Sequence, residues 1–593
     1  MVRPLDIARS AGPAVEPRPA TATRGRRWGL LLVAGWLVQA GLRAWLSRAQ
    51  MVPLAIPDES AYLISARVLT GGATANFSYS TLYPAGYPLL IAPVFWFTSN
   101  PITAYHAVLL GINAPVSALV MPLGYVACRR LGLERPMAFG VAMVAALLPA
   151  ALFYSQYAMT DAIYPVLVLA WLLAVHSWLT ARSARGQYAA AIGSALLAGY
   201  SYAVHSRGAV IVAGYVLVGV FAAWRRLVPR RSAVAAAVAL GLPLGAARLL
   251  NQHLSSVMYP SGPRTLAGEA LIRLRSVHGA VFVLEMAAGQ LWRFVLDGWG
   301  VAGLGLAAAV FVIFQRTART DARIMAALGA GVTLVTAVTS PAALPPTQPQ
   351  AWASGRYLDG MVVAFFLAGA AVLLRGAPRR MLVCAACVVP PTLLAAIVVL
   401  AYTGGSVPTS GFGAAFVFAE PAVLTQNWTT ASVPLATVVA LGLLAAAVGV
   451  MLLAARRGGP WARLGPIVVL AGLGAVSLAA SVQMTSHISQ ASTPRQERNA
   501  TAVVTGTGLK PGQQLAIGTG LSWQIWMPQA YEVWWTPLTH FTAGAQPPPA
   551  GATVVEVAWP AGQSAASSWP QAPAGWTIAV EDPADGWVAW RRA

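Results

Sequence analysis

Residues 433–457 read VPLATVVALGLLAAAVGVMLLAARR, and this stretch decides the fold. From Val433 to Ala455 the run carries no charge, and it then stops at Arg456-Arg457. As a helix rising 1.5 Å per residue it exceeds the roughly 30 Å of a bilayer's hydrocarbon core. Paired arginines at one end mark the side that stays in the cytoplasm. The rest of the chain repeats this pattern. Its 593 residues are 57% hydrophobic and only 10% charged, with a mean hydropathy of +0.63. A soluble domain carries about 25% charged residues. The chain reads as a mainly α polytopic membrane protein.

Thirteen apolar runs are candidate spans: 28–47, 102–127, 137–153, 162–180, 188–204, 208–224, 233–249, 300–315, 324–340, 360–374, 381–402, 433–455 and 465–485. The N-terminal tail and the loops after each even-numbered run hold 24 of the 39 basic residues and four acids, Asp6, Glu16, Glu134 and Asp321. The opposite side holds 15 basic and 14 acidic residues. Short Arg-rich loops remain cytoplasmic. The N-terminus is therefore expected inside and the C-terminus outside a plasma membrane crossed many times. The net charge of +21 would suggest nucleic acid in a soluble chain, but here it sits in these loops, so no nucleic-acid partner is expected. The 38 Arg against one Lys, Lys510, with abundant Ala and Gly, is the residue usage of a GC-rich, actinobacterial-like genome.

Residues 1–27 read as a flexible cytoplasmic tail, 28–485 as the membrane domain, and 486–593 as an extracytoplasmic domain. Two outer segments, 48–101 and 250–299, are longer than simple connections. The terminal segment holds nine of the 21 Trp and alternating runs such as Thr553–Trp559 and Trp587–Trp590, which read as strands of a small α/β or β fold. Its Trp residues are expected chiefly to fill a core and anchor an interface, with sugar stacking as the second use. Cys384 and Cys387 lie inside an apolar run and read as packing residues. Cys128, at a cytoplasmic helix end, should stay reduced.

The outer acids are few. Asp58 and Glu59 follow Pro57 in IPDESAYLISARVL, which reads as the start of an amphipathic outer helix with Tyr62 one turn on. Tyr83 and Tyr87 lie in a stiff Tyr/Pro/Gly segment at 80–90. Asp161 sits in the short outer turn between spans 3 and 4, where it or Thr160 would serve as a helix cap unless it has a function. The complementary cations are His205-Ser206-Arg207-Gly208, between spans 5 and 6, and Arg356-Tyr357-Leu358-Asp359, before span 10. The guanidinium fork suits phosphate.

The order Asp58-Glu59-x-x-Tyr62, Tyr83-Pro84, Tyr87-Pro88, Met159-Thr160-Asp161, Arg207-Gly208 and Arg356-Tyr357-Leu358 resembles the GT-C membrane glycosyltransferases. The nearest branch is that of lipid A aminoarabinose transferases and protein O-mannosyltransferases. The resemblance spans roughly residues 28–360 and departs at His-Ser-Arg-Gly, where many relatives carry Lys-Gly or Arg-Pro. It implies a GT-C-like bundle of about 13 transmembrane helices. It also implies a polyprenyl-phosphate-linked sugar donor and an acceptor (cell-envelope glycan, lipid or protein) at the outer membrane face, with inversion at the sugar. Within that frame Asp58, Glu59 and Asp161 are the catalytic carboxylates. Arg207 and Arg356 clamp the lipid phosphate, beside His205, Tyr62, Tyr83 and Tyr357. Asp58 and Asp161 are also candidate oxygen ligands for a divalent ion. A lipid or sugar transporter is the alternative reading. It is disfavoured because these charges lie at one end of the spans rather than at their midpoints.

Overall fold

The computed structural model describes residues 21–593 except 56, 79, 412 and 537, with side chains from Arg27 onward. A helix occupies each of the thirteen apolar runs. By length and composition eight helices among the described residues can cross a membrane, or nine counting one bent pair, and further apolar helices such as Tyr164–Thr180 and Gly208–Trp224 are shorter. The exact figure of thirteen spans is therefore not reproduced. The first helix, Thr21–Ser47, takes in residues 21–27 of the expected tail, while residues 1–20 lie outside the described part.

The clearest departure from the sequence reading is at 250–299. Span 7 extends as a helix to Met258, and Val277–Asp297 is a further apolar helix rather than a loop. Arg293 and Asp297 interrupt its apolar pattern, yet both are fully buried: Arg293 Nε donates to Asp297 Oδ1 at 3.0 Å and pairs with Glu420 of the Ala419–Thr425 helix. Buried charges persist only when paired. The second carboxylate partner of Arg293, Glu420, lies 127 residues away in sequence.

A second local feature places the site. Pro149 breaks the third run, because the residue before a proline avoids the α region, and Leu148 sits at ψ 139°. The helices Arg135–Leu147 and Pro149–Gln156 meet at 71°. Arg43, fully buried, takes up carbonyls at the break, donating to Ala146 O at 2.8 Å and Ala151 O at 3.3 Å. The redirected chain carries residues 154–162 through the bundle interior, every one of them buried.

The final long helix runs unbroken from Gly459 to Thr507 across the expected boundary at 485, with a π turn at Thr485–Gln490. Beyond it stands a five-stranded mixed sheet. Its order is Thr539–Phe541, Gln514–Gly518, Ala552–Ala558, Trp587–Arg592, Trp576–Asp582. The first three strands are parallel and the last two antiparallel to their neighbours. The Trp523–Glu532 helix makes the unit α/β. Trp569 packs edge-on against Phe541, Trp576 and Trp590 at 5.4–5.8 Å, and Trp587 is fully buried, so these tryptophans form a core. The same Trp523–Glu532 helix leans on Asp58–Leu69: buried Arg67 donates to Ala530 O at 3.0 Å, and Tyr531 to Pro101 O at 2.7 Å.

Candidate active site

Four chain segments bring charged side chains together: the first turn of Asp58–Leu69, the 3-10 turn Thr160–Ala162, the turn joining Ala184–Val204 to Gly208–Trp224, and the 3-10 turn Gly355–Tyr357. Arg356 Nη2 donates to Asp58 Oδ2 at 2.6 Å, and its Nε lies 3.9 Å from Asp161 Oδ2. Arg207 Nη2 donates to Asp161 Oδ1 at 2.8 Å and its Nη1 to the carbonyl of Arg356 at 2.6 Å. Two carboxylates and two guanidiniums thus form one neutral cluster. Such convergence at low dielectric is stable only because opposite charges alternate.

Glycines admit both arginines. At Gly208 a Cβ would strike the backbone of Ser201, so only glycine lets the helix after Arg207 start so close to the helix before it. At Gly355 a Cβ would clash with Asp297 Oδ2. The Arg356 turn therefore rests directly on the buried Arg293–Asp297–Glu420 group.

Tyrosines form the walls. Tyr83 Oη donates to Asp58 Oδ1 at 3.1 Å, and Tyr62 meets Tyr83 and Tyr87 edge-on at 5.2 and 5.5 Å. The Arg207 guanidinium is flanked by the rings of Tyr164 at 4.7 Å and Tyr357 at 5.3 Å, a cation–π setting that holds its plane. Tyr164 was not anticipated; the only signal was its place just after Asp161, at the head of an apolar run. His205 is near but acts on Arg207: its Nδ1 accepts from Arg207 N at 3.1 Å and Nε at 3.2 Å. Burial and the Arg207 charge hold this imidazole well below its usual range, hence neutral.

Electrostatics separates the three acids. Burial pushes Asp161 upward, but the Arg356 and Arg207 charges outweigh it and hold its carboxyl at about 2. Its side chain is 3% exposed against 23% for Asp58, so Asp58 is the carboxylate that a substrate can reach. Asp161 caps no helix, since neither the Thr160–Ala162 turn that contains it nor the Tyr164–Thr180 helix has a side-chain cap bond. Glu59 points away from the cluster. It is fully buried and accepts from Leu54 N, Ala55 N, Ala158 N and Tyr105 Oη at 2.6–2.7 Å. Burial raises its carboxyl and the four donors oppose that rise. With both oxygens engaged, it ties the Asp58 helix to the 158–162 turn.

A divalent ion held by Asp58 and Asp161 would meet the Arg356 guanidinium between them. Both carboxylates face Arg356, and no group of three His, Cys, Asp or Glu converges among the described residues.

No family model matches the chain, and no curated protein matches it in sequence. Its fold is that of the solved structures of ArnT. The apo structure of ArnT from Cupriavidus metallidurans matches at a TM-score of 0.53, with 17% identity, 96% of this chain and 98% of that one. The structure of the same protein bound to undecaprenyl phosphate matches at 0.51, with 14% identity over the same shares. At these identities the likeness is one of fold.

Proposed function

We propose that the chain is a membrane glycosyltransferase that moves a sugar from a polyprenyl-phosphate donor to a cell-envelope acceptor, a glycan, lipid or protein, at the outer face of a bacterial plasma membrane. The observation that carries this reading is the reachable carboxylate, Asp58, joined to a guanidinium pair. Glycosyl transfer needs a base for the acceptor hydroxyl and cations for the departing phosphate. The ArnT structure of the same fold holds undecaprenyl phosphate, which supports a lipid phosphate as the group the arginines receive.

The cluster links the two roles. Arg356 is paired with the base, Asp58. A lipid phosphate entering between Arg356 and Arg207 competes for the guanidinium fork, and Asp58 is freed as it does so. The acceptor hydroxyl then attacks the anomeric carbon and its proton passes to Asp58. The bond from that carbon to the phosphate oxygen breaks, and polyprenyl phosphate leaves held by the two arginines. A single displacement of this kind inverts the sugar. Asp161 keeps the arginines in place as their fixed counter-charge, and the neutral His205 orients Arg207.

With the C-terminus outside, as the arginine distribution implies, the α/β unit at 514–592 lies on the outer side against the Asp58 helix. Incubating purified protein with a synthetic polyprenyl-phosphate sugar and envelope extract tests the reading. Sugar transfer with release of polyprenyl phosphate is expected; ion- or ATP-driven movement of the lipid without transfer would replace it with the transporter reading.

A further inference from the structure

The Arg-rich end of the bundle carries a feature that the proposed reaction does not use. A cavity of about 790 Å³ opens there between the Tyr164–Thr180, Val301–Phe314, Thr320–Ala342 and Asp359–Arg375 helices. Tyr164–Thr180 and Asp359–Arg375 begin beside the carboxylate–guanidinium cluster and end at this cavity. At 17 residues each they set the cavity's arginine mouth about 25 Å from that cluster, while its apolar wall runs back along them as far as Leu169 and Met361.

The cavity is two-faced. Its wall is apolar, formed by side chains such as Leu169, Leu173, Met325, Phe365 and Ala368. Its mouth holds Arg130, Arg319, Arg375 and Arg380 against one carboxylate, Asp321, an excess of three positive charges before His176 is counted. Some of this charge is spent. Arg319 forks onto Asp321 at 3.0 and 3.1 Å, and His176 Nε2 lies 3.7 Å from the same carboxylate. Arg130 donates to Leu173 O at 2.6 Å, and Arg375 uses Nη1 on Leu131 O at 2.8 Å. The other nitrogens of Arg375 have no partner, and Arg380 has none at all, among the described residues.

An apolar pocket with a cationic mouth, set between helices at the membrane surface, is complementary to a lipid whose headgroup is anionic and whose chains are apolar. We propose that this cavity binds one anionic glycerophospholipid, its phosphate at Arg375 and Arg380 and an acyl chain along the Leu169–Ala368 wall. A soluble phosphate would gain the charges but nothing from the wall, and a neutral lipid the wall but not the charges. The site is independent of the proposed transfer chemistry.

Native mass spectrometry of the detergent-purified full chain, with phosphatidylglycerol, phosphatidylcholine and glycerol 3-phosphate as probes, tests this. The wild type should retain one phosphatidylglycerol in preference to the other two. Arg375→Gln with Arg380→Gln should cut retention roughly tenfold or more, as expected for two surface cations. Ala368→Trp, which fills the wall and leaves every charge in place, should do the same. Arg456→Gln with Arg457→Gln, at the same end but outside the cavity, should change nothing. Equal retention of phosphatidylcholine, equal binding of glycerol 3-phosphate, unchanged retention by Ala368→Trp, or an equal loss in the Arg456/Arg457 variant would each overturn the proposal.

Discussion

Arg356 holds Asp58 in an ion pair at 2.6 Å across 298 positions of sequence. In the proposed reaction the pair keeps the base occupied until a phosphate draws the guanidinium away, so that deprotonation of the acceptor follows donor binding. The same arginine approaches Asp161 and accepts from Arg207 through its carbonyl. A change at any of the four residues should therefore be felt by the other three.

Replacing Asp58 by Asn should lower the transfer rate by about 10²–10⁴, the usual cost of losing a general base. Donor binding should persist or tighten, because Arg356 loses a competitor. Single-turnover rates beside equilibrium donor binding check this; a full rate in the variant would move the base elsewhere.

Arg207→Ala should weaken donor binding by about 1.5–3 kcal/mol, the worth of a hydrogen bond to a charged group. Arg207→Lys should recover only part, since an ammonium cannot fork across a phosphate and the Arg356 carbonyl. Calorimetry with polyprenyl phosphate reads both variants. Unaltered affinity in Arg207→Ala would remove it from the clamp.

Glu59→Gln should act on folding rather than on chemistry. The amide offers one acceptor oxygen where four donors converge, and its NH₂ would face some of them. Each unsatisfied buried donor costs about 1–3 kcal/mol. A lower thermal midpoint and lower yield are expected, with the folded fraction keeping its rate once donor is saturating. Normal stability with lost turnover would instead return Glu59 to the catalytic group.

The terminal domain should lose stability as pH rises. Burial lifts Glu532 to about 7 and Glu556, in the central strand, well above the carboxylate range despite the opposing Gln529. The native state keeps protons that the unfolded chain has released by pH 5. It therefore binds more protons than the unfolded chain, and stability falls as pH climbs from about 4.5 through the native pKa. For Glu532 that fall is complete slightly above pH 7. Glu532→Gln should match the wild type near pH 4 and melt higher by pH 8. A constant difference across pH would place the effect outside ionisation.

Chelation tests the divalent ion expected from the two carboxylates. Since Arg356 already supplies the positive charge between Asp58 and Asp161, transfer should survive EDTA. Loss of activity restored by Mg²⁺ or Mn²⁺ would assign those two acids to a metal after all.

Much of this molecule is written in local sequence, and the parts that are not share a cause. Run length and the placement of arginines depend only on the immediate chain, and a helix lies where each apolar run stands. Asp58, Asp161, Arg207 and Arg356 stood out because an uncompensated charge at a helix end beside a membrane needs a partner. Glu59 looked equivalent to Asp58 because the two are adjacent. Successive residues on a helix point about 100° apart, and only the position of the 158–162 turn decides which carboxylate is buried as a tie. Val277–Asp297 was hidden because Arg293 and Asp297 break its apolar pattern, and the Glu420 that joins their buried pair comes from a distant helix.

The sequence by itself therefore determined the membrane class, the helices and the charges that had to be neutralised. The tertiary structure alone decided which charges neutralise one another, because pairing depends on distances of about 3 Å between segments up to 298 residues apart. Such distances follow from a break at Pro149 and from glycines at 208 and 355, whose meaning appears only when the neighbouring segments are in place.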